Sequence, residues 1–65
     1  MVNFFNDQWL IEGEILKNMC TRQLSVAKNL SSVVDWVRNG AWDFHRLEDI
    51  VQPLVIQRLI PALPP

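Results

Sequence analysis

A single cysteine, Cys20, is the feature that most limits what this chain of 65 residues can fold into. No internal disulfide is possible, and Cys20 with the one histidine, His45, falls short of the roughly four ligands that a structural zinc site needs. At this length folding buries only about 60% of the surface that the unfolded chain exposes. The sequence, which is 49% apolar, must therefore rely on a small hydrophobic core or on a partner.

The charge balance argues against a domain that binds nucleic acid by itself. The formal net charge is −1 and the isoelectric point is near 5.6, whereas such domains are usually basic because Lys and Arg neutralise phosphates. Between Glu14 and Asp35 the only charges are Lys17, Arg22 and Lys28, a spacing more typical of a solvated face than of a phosphate-binding track.

No targeting or membrane segment is visible in the sequence. Residues 1–14 lack the cationic start of a signal peptide, and no window approaches the roughly 18 apolar residues of a membrane span. These features predict no membrane partner. They leave the location undetermined, with an intracellular one favoured.

Residues 1–12 are predicted to form one short strand or extended segment followed by a turn. The run VNFF is rich in strand-forming residues, and Asn6 and Asp7 favour a turn after it. The turn would place Trp9 and Leu10 on an apolar surface. Because one strand needs a partner for its backbone hydrogen bonds, and no second strand is evident in the sequence, we expect the domain to be incomplete.

Residues 13–40 are predicted to form short helices. After Gly13, the pattern EILKNMCTRQL places its apolar residues on one helical face, with Glu14 favourable near the start. Ser32 and Asp35 fit a capping box at the start of a second helix. Asn39 and Gly40 tolerate positive φ and would end that helix after one or two turns. The residues assigned to the first face are Ile15, Leu16, Met19 and Leu24.

Residues 41–61 are predicted to form a helical pair broken at Pro53, and residues 62–65 a connector. Asp43 can cap the first helix of the pair, whose core face would carry Phe44, Leu47, Ile50 and Val51. Proline disfavours helix at Gln52 and suits the first turn of a new helix, whose face around Leu54 and Leu59 we expect in the same core cluster. The fold class predicted for residues 1–65 is therefore mostly α, with three or four short helices behind one N-terminal strand.

No pattern in the sequence predicts a reaction centre. His45 with Glu48 and Asp49 favours a solvated helix face over acid–base chemistry, since no nucleophile or phosphate loop accompanies it. Cys20 lies in an apolar context typical of an inert thiol, and P-x-x-P at residues 61–64 lacks the basic neighbours of a docking motif. The tryptophans, Trp9, Trp36 and Trp42, favour core packing over base stacking. We expect no catalytic, cofactor-binding or metal-binding residue and no small-molecule substrate.

Two separated stretches carry a pattern known from one family. VNFFNDQWL, from Val2 to Leu10, has an aliphatic residue, an aromatic pair, a variable position, then Asp, a variable residue, Trp and Leu. Further along, the pattern has the order V-x-D, Gly, Trp and I-x-x-(L/I)-x-x-(L/I)-P. The residues of this chain that keep that order are Val34, Asp35, Gly40, Trp42, Ile56, Leu59, Ile60 and residues 61–65. In this the chain resembles plant LINE-type non-LTR retrotransposon proteins. It departs from them at Phe5, where Trp is usual, and at Trp36, where an aliphatic residue or Phe is commoner.

The resemblance implies a non-catalytic connector between a reverse transcriptase domain and a zinc-binding domain. Its partners would be the remaining domains of a parent polyprotein, and nucleic acid would be reached only through that parent. The family's polymerase, zinc-binding and RNase H residues lie outside the matching segment, so none transfers to this chain. The alternative is an independent small helical module that places its C-terminal apolar helix in the groove of a protein partner.

Overall fold

The structure of the protein is a computed structural model that describes residues 1–64. Two 3-10 helices span Leu16–Met19 and Val33–Trp36. Three α-helices span Val26–Asn29 (α1), Phe44–Leu47 (α2) and Pro53–Leu59 (α3). Two strands, Val37–Arg38 (β1) and Ala41–Trp42 (β2), form an antiparallel hairpin. None of the helices within residues 1–64 is long and apolar enough to cross a membrane.

The prediction of a mostly α fold is wrong. Helical residues make up 36% and strand residues 12% of the structure, which is a small α/β fold with a two-stranded antiparallel sheet. The predicted helix after Gly13 shortens to a 3-10 turn because Cys20 is extended, with φ −86° and ψ 145°. Cys20 instead forms an antiparallel bridge with Val51.

The N-terminal strand finds its partner within the chain, which corrects the expectation of an unpaired strand. Asn3 forms an antiparallel bridge with Ser32. The Phe4 amide donates to the carbonyl oxygen of Ser31 at 3.0 Å, and the Val33 amide donates to that of Val2 at 2.9 Å. The partner segment, residues 31–33, carries no strand pattern of its own, because Ser32 is the extended residue that precedes a 3-10 helix.

Asn39 and Gly40 adopt the predicted positive φ values, 54° and 79°, but their role differs from the prediction. They form the two-residue turn between β1 and β2 and do not end a helix. Paired positive φ values match the twist of a tight hairpin and favour Asn-Gly at this turn. The hairpin register pairs Val37 with Trp42.

The predicted capping box is present at the second 3-10 helix. The Asp35 carboxylate accepts from the Ser32 backbone amide at 2.8 Å and from its hydroxyl at 3.1 Å. Asp43 caps α2 as predicted, since its carboxylate accepts from the Arg46 amide at 3.4 Å. These contacts connect residues three positions apart and so form as soon as the local turn forms.

The predicted break before Pro53 is confirmed, and Pro53 is the first residue of α3. Gln52 is extended, and its amide donates to the Met19 carbonyl oxygen at 2.9 Å. The first helix of the pair is shorter than predicted and ends at Leu47. Ile50 and Val51 still reach the core. Ile50 does so from the turn that follows α2, and Val51 from its bridge with Cys20.

The core gathers apolar side chains from every part of the described chain. Leu54, which we expected in this core, is 43% exposed, whereas its neighbour Val55 is fully buried. Successive helical residues point about 100° apart, so the buried pair Val55 and Leu59, four residues apart, sets the inner face of α3. The buried apolar residues are Phe4, Phe5, Leu16, Val33, Trp36, Trp42, Leu47, Ile50, Val51, Val55 and Leu59.

Candidate functional site

Five aromatic side chains from separate stretches form the centre of the molecule. The ring centroids of Phe4 and Trp36 lie 5.4 Å apart, and those of Phe4 and Trp42 lie 6.4 Å apart. Trp9 closes the cluster against Trp42 at 5.6 Å, while Phe5 packs edge-on to Trp36. Such tilted and edge-to-face pairs are the favoured aromatic geometries. The predicted core packing of the tryptophans is confirmed.

Each indole N–H in the cluster has a hydrogen-bond acceptor. Trp9 donates to the Phe4 carbonyl oxygen at 2.8 Å, and Trp36 donates to the Ser31 hydroxyl oxygen at 2.9 Å. Trp42 donates to the Ala62 carbonyl oxygen at 2.8 Å. Because an unpaired buried N–H would cost about 1–3 kcal/mol, these bonds help to fix the orientation of all three rings.

The side chains considered for acid–base chemistry do not share one cavity. Asp49 lines one shallow depression, Glu48 lines a different one, and His45 lines neither. His45, Glu48 and Asp49 are all exposed, as predicted, but only His45 lies on a helix, because α2 ends at Leu47. Within residues 1–64 the single ion pair joins Arg46 and Asp43, with nitrogen and oxygen 3.6 Å apart. Asp43 is thus committed to its cap and its ion pair.

Cys20 is a half-buried thiol with a local partner. Its Sγ lies 3.4 Å from the Leu16 carbonyl oxygen, to which it donates. Burial raises the pKa of the Cys20 thiol above its usual value, because desolvation disfavours the thiolate. Among the described residues no three His, Cys, Asp or Glu side chains are grouped to hold a metal ion.

Four cationic side chains lie on one face of the molecule. Lys28 and Arg46 line one shallow depression, Lys17 lines a second, and Arg22 lines both. The guanidinium of Arg46 lies 4.4 Å from the ring centroid of Trp36. The sequence predicts that Lys17, Arg22 and Lys28 share a face but gives no sign that Arg46 joins them. Arg46 comes from a different part of the chain, and no local pattern indicates that it lies near the other three.

The predicted connector at residues 62–65 starts against the core. Ala62 is half-buried and accepts from Trp42, whereas Pro61 and Leu63 are exposed. Pro65, the last residue assigned to the connector, lies outside the described residues. The P-x-x-P segment is therefore hydrogen-bonded to the hairpin through Ala62, the second residue of the segment.

The chain matches no protein-family model, and the comparisons with curated proteins and with solved structures give no match.

Proposed function

We propose that the chain is a non-catalytic structural segment of a plant LINE-type reverse-transcriptase-like polyprotein, connecting the polymerase domain to a zinc-binding domain. The observation that carries the proposal is the convergence of the two family-like stretches in one aromatic cluster. Phe4 and Trp9 of the first stretch contact Trp42 of the second. The two stretches are far apart in the sequence but pack against each other, so they belong to one folding unit.

Further residues of the pattern also have structural roles. The Asp7 carboxylate accepts from the Asn3 amide at 2.8 Å and closes the turn after the N-terminal strand. Asp35 completes the capping box, and Gly40 supplies a positive φ in the hairpin turn. Leu59 is fully buried in α3. Val2, Val34 and Ile60 of the pattern are exposed, but its packing, capping and turn residues support a structural segment better than a reaction centre.

Inspection of the genomic reading frame tests the proposal most directly. We expect codons for the paired aspartates of a polymerase upstream and for a Cys/His zinc cluster downstream, even if stop codons interrupt the frame. An intact promoter followed by a clean frame of 65 codons, with neither element nearby, would contradict it.

A second candidate, an independent protein-interaction module, is favoured by the apolar surface of α3. Val51, Pro53 and Ile56 line an open depression of about 440 Å³. Leu54 of α3 and Ile60, the residue that follows the helix, are exposed. Such a surface suits binding to a protein partner, with α3 lying in an apolar groove of that partner. The clean 65-codon frame that would contradict the connector would favour this module.

A further inference from the structure

Charge is strongly segregated on the surface of this protein. We define the basic face as the two adjoining depressions whose common wall is residues 22–24. Four of the six Lys and Arg residues of the chain line it, namely Lys17, Arg22, Lys28 and Arg46. Asp49 is the one carboxylate of the seven in the chain that lines it. The lining therefore carries a formal charge of +3 in a chain whose net charge is −1.

The cations of the basic face are available to an anionic ligand. Lys17, Arg22 and Lys28 are exposed, and within residues 1–64 no carboxylate forms an ion pair with them. Arg46 is held in place by Asp43 and by the ring of Trp36. Like charges gathered on one surface repel one another, and a bound polyanion would relieve that repulsion.

The lining of the basic face distinguishes between classes of ligand. Its depressions, about 220 and 280 Å³, are below the roughly 300–1,000 Å³ of small-molecule sites. No aromatic residue lines them, and two of their four cations are lysines. Protein–protein interfaces are enriched in aromatic residues and depleted in lysine, so this lining differs from such an interface. Gln23 adds an amide to the cations, and Arg, Lys and Gln are typical phosphate contacts.

We propose that the basic face binds the phosphodiester backbone of a nucleic acid without reading its bases. Base recognition needs stacking aromatics or donors and acceptors aimed at base edges. Trp36 and Trp42 are buried in the core, Trp9 packs against it, and none of the three lines the basic face. The proposal rests on the charge distribution alone and not on the proposed connector role, which the reading frame tests separately.

The number of free cations sets the expected strength of binding. Three phosphate contacts give a slope of about −3 for the logarithm of the association constant against the logarithm of salt concentration. Affinity then falls about 30-fold between ~50 and ~150 mM salt. Binding should be measurable at low salt and weak near physiological salt, as the net charge of −1 also indicates.

The test compares two double variants of the full chain by fluorescence anisotropy with a labelled mixed-sequence DNA duplex, from about 20 to about 150 mM salt. Arg22→Gln with Lys28→Gln removes two cations of the basic face. Arg38→Gln with Arg58→Gln removes two cations that lie outside its lining. Both variants change the formal net charge from −1 to −3. We expect the slope to fall to about −1 in the first variant and to stay near −3 in the second.

Circular dichroism confirms that each variant is folded, and Lys28→Arg, which keeps the charge, should retain the wild-type slope. Equal weakening in the two double variants would overturn the proposal, because net charge alone would then explain binding. Binding of poly-glutamate as tight as that of the duplex would overturn the assignment to nucleic acid. A tenfold preference between two unrelated duplex sequences would overturn recognition of the backbone alone.

Discussion

The indole N–H of Trp42 donates a 2.8 Å hydrogen bond to the backbone carbonyl oxygen of Ala62. This bond ties the second strand of the hairpin to the segment that follows α3. The same indole packs against Trp9 from the N-terminal part of the chain, with ring centroids 5.6 Å apart. One buried side chain therefore joins segments from both ends of the chain to the hairpin.

Replacing Trp42 by Ala should unfold the isolated chain. Truncation of a buried tryptophan costs about 3–5 kcal/mol, and a single core of this size rarely supplies more than about 3–5 kcal/mol. We expect His45→Ala to leave the structure intact, because His45 is exposed. Circular dichroism and tryptophan fluorescence of both variants provide the measurement.

Trp42→Phe separates the hydrogen bond from the packing. It keeps an aromatic ring but removes the N–H donor, so the Ala62 carbonyl oxygen loses its partner at a cost of about 1 kcal/mol in addition to the loss of ring volume. The phenylalanine variant should lie between wild type and Trp42→Ala in urea unfolding. A helical signal lost in His45→Ala and kept in Trp42→Ala would show that our assignment of the core is wrong.

Gly40→Ala should destabilise the hairpin through the backbone alone. Gly40 has φ +79°, and a Cβ built there meets no atom within 4 Å. The left-handed conformation costs an L-residue about 1–2 kcal/mol, and we expect the free energy of unfolding to fall by that amount. In chemically synthesised chains, D-alanine at position 40 should restore stability, since D-residues favour positive φ. If L- and D-alanine destabilise the chain equally, the turn geometry described here is wrong.

Asp35→Ala should lower stability by roughly 0.5–2 kcal/mol, the usual effect of losing a cap. The Asp35 carboxylate satisfies the Ser32 amide and hydroxyl at the start of the 3-10 helix that carries Trp36 into the core. Glu48→Ala removes an equal charge from an exposed position and serves as the matched control. Chemical denaturation should show a lower midpoint for Asp35→Ala only, and equal midpoints would exclude a stabilising cap.

Cys20 should react slowly with alkylating reagents near neutral pH. Burial raises the pKa of its thiol in the folded state, so the reactive thiolate is scarcer than in an unfolded chain. The same shift means that its contribution to stability is present below the pKa of the unfolded chain and is lost as pH rises through the folded pKa. Iodoacetamide modification followed by mass spectrometry, with and without urea, measures the difference. Equal rates in both conditions would contradict this account.

The purified chain should have no polymerase, nuclease or hydrolase activity. Asp43 is used in a helix cap and an ion pair, and Glu48 and Asp49 are exposed. The nearby Thr21 hydroxyl donates to the backbone carbonyl oxygens of Asp49 and Ile50 and not to a carboxylate. Assays with labelled RNA and DNA in Mg²⁺ and Mn²⁺ test the prediction. Metal-dependent RNA cleavage that disappears on mutation of Asp43, Glu48 or Asp49 would contradict it.

The hairpin is the element that the sequence could have revealed and did not. Asn-Gly is a strong signal for a two-residue hairpin turn. Here each strand has only two residues, too few to show the alternation of apolar and polar positions that identifies a strand. The capping box at Ser32 and Asp35 correctly predicts a helical turn, and after such a turn a pair of residues that tolerate positive φ, Asn39 and Gly40, fits a helix end as well as a hairpin.

The sequence by itself determined the features that depend on neighbours three or four residues apart. These are the caps at Asp35 and Asp43, the positive φ at Asn39 and Gly40, and the start of α3 at Pro53. Such interactions form within one turn of chain and leave a recognisable local pattern. The apolar character of the tryptophans likewise predicted that they pack in the core.

Only the tertiary structure decided which distant segments meet. The pairing of Asn3 with Ser32 and of Cys20 with Val51, and the gathering of Arg46 with the earlier cations on the basic face, join residues far apart in the chain. The burial of Val55 in place of Leu54 likewise depends on the angle at which α3 docks. Closing such long loops costs entropy that only the complete core repays, so no short stretch of sequence carries the information that selects the partner.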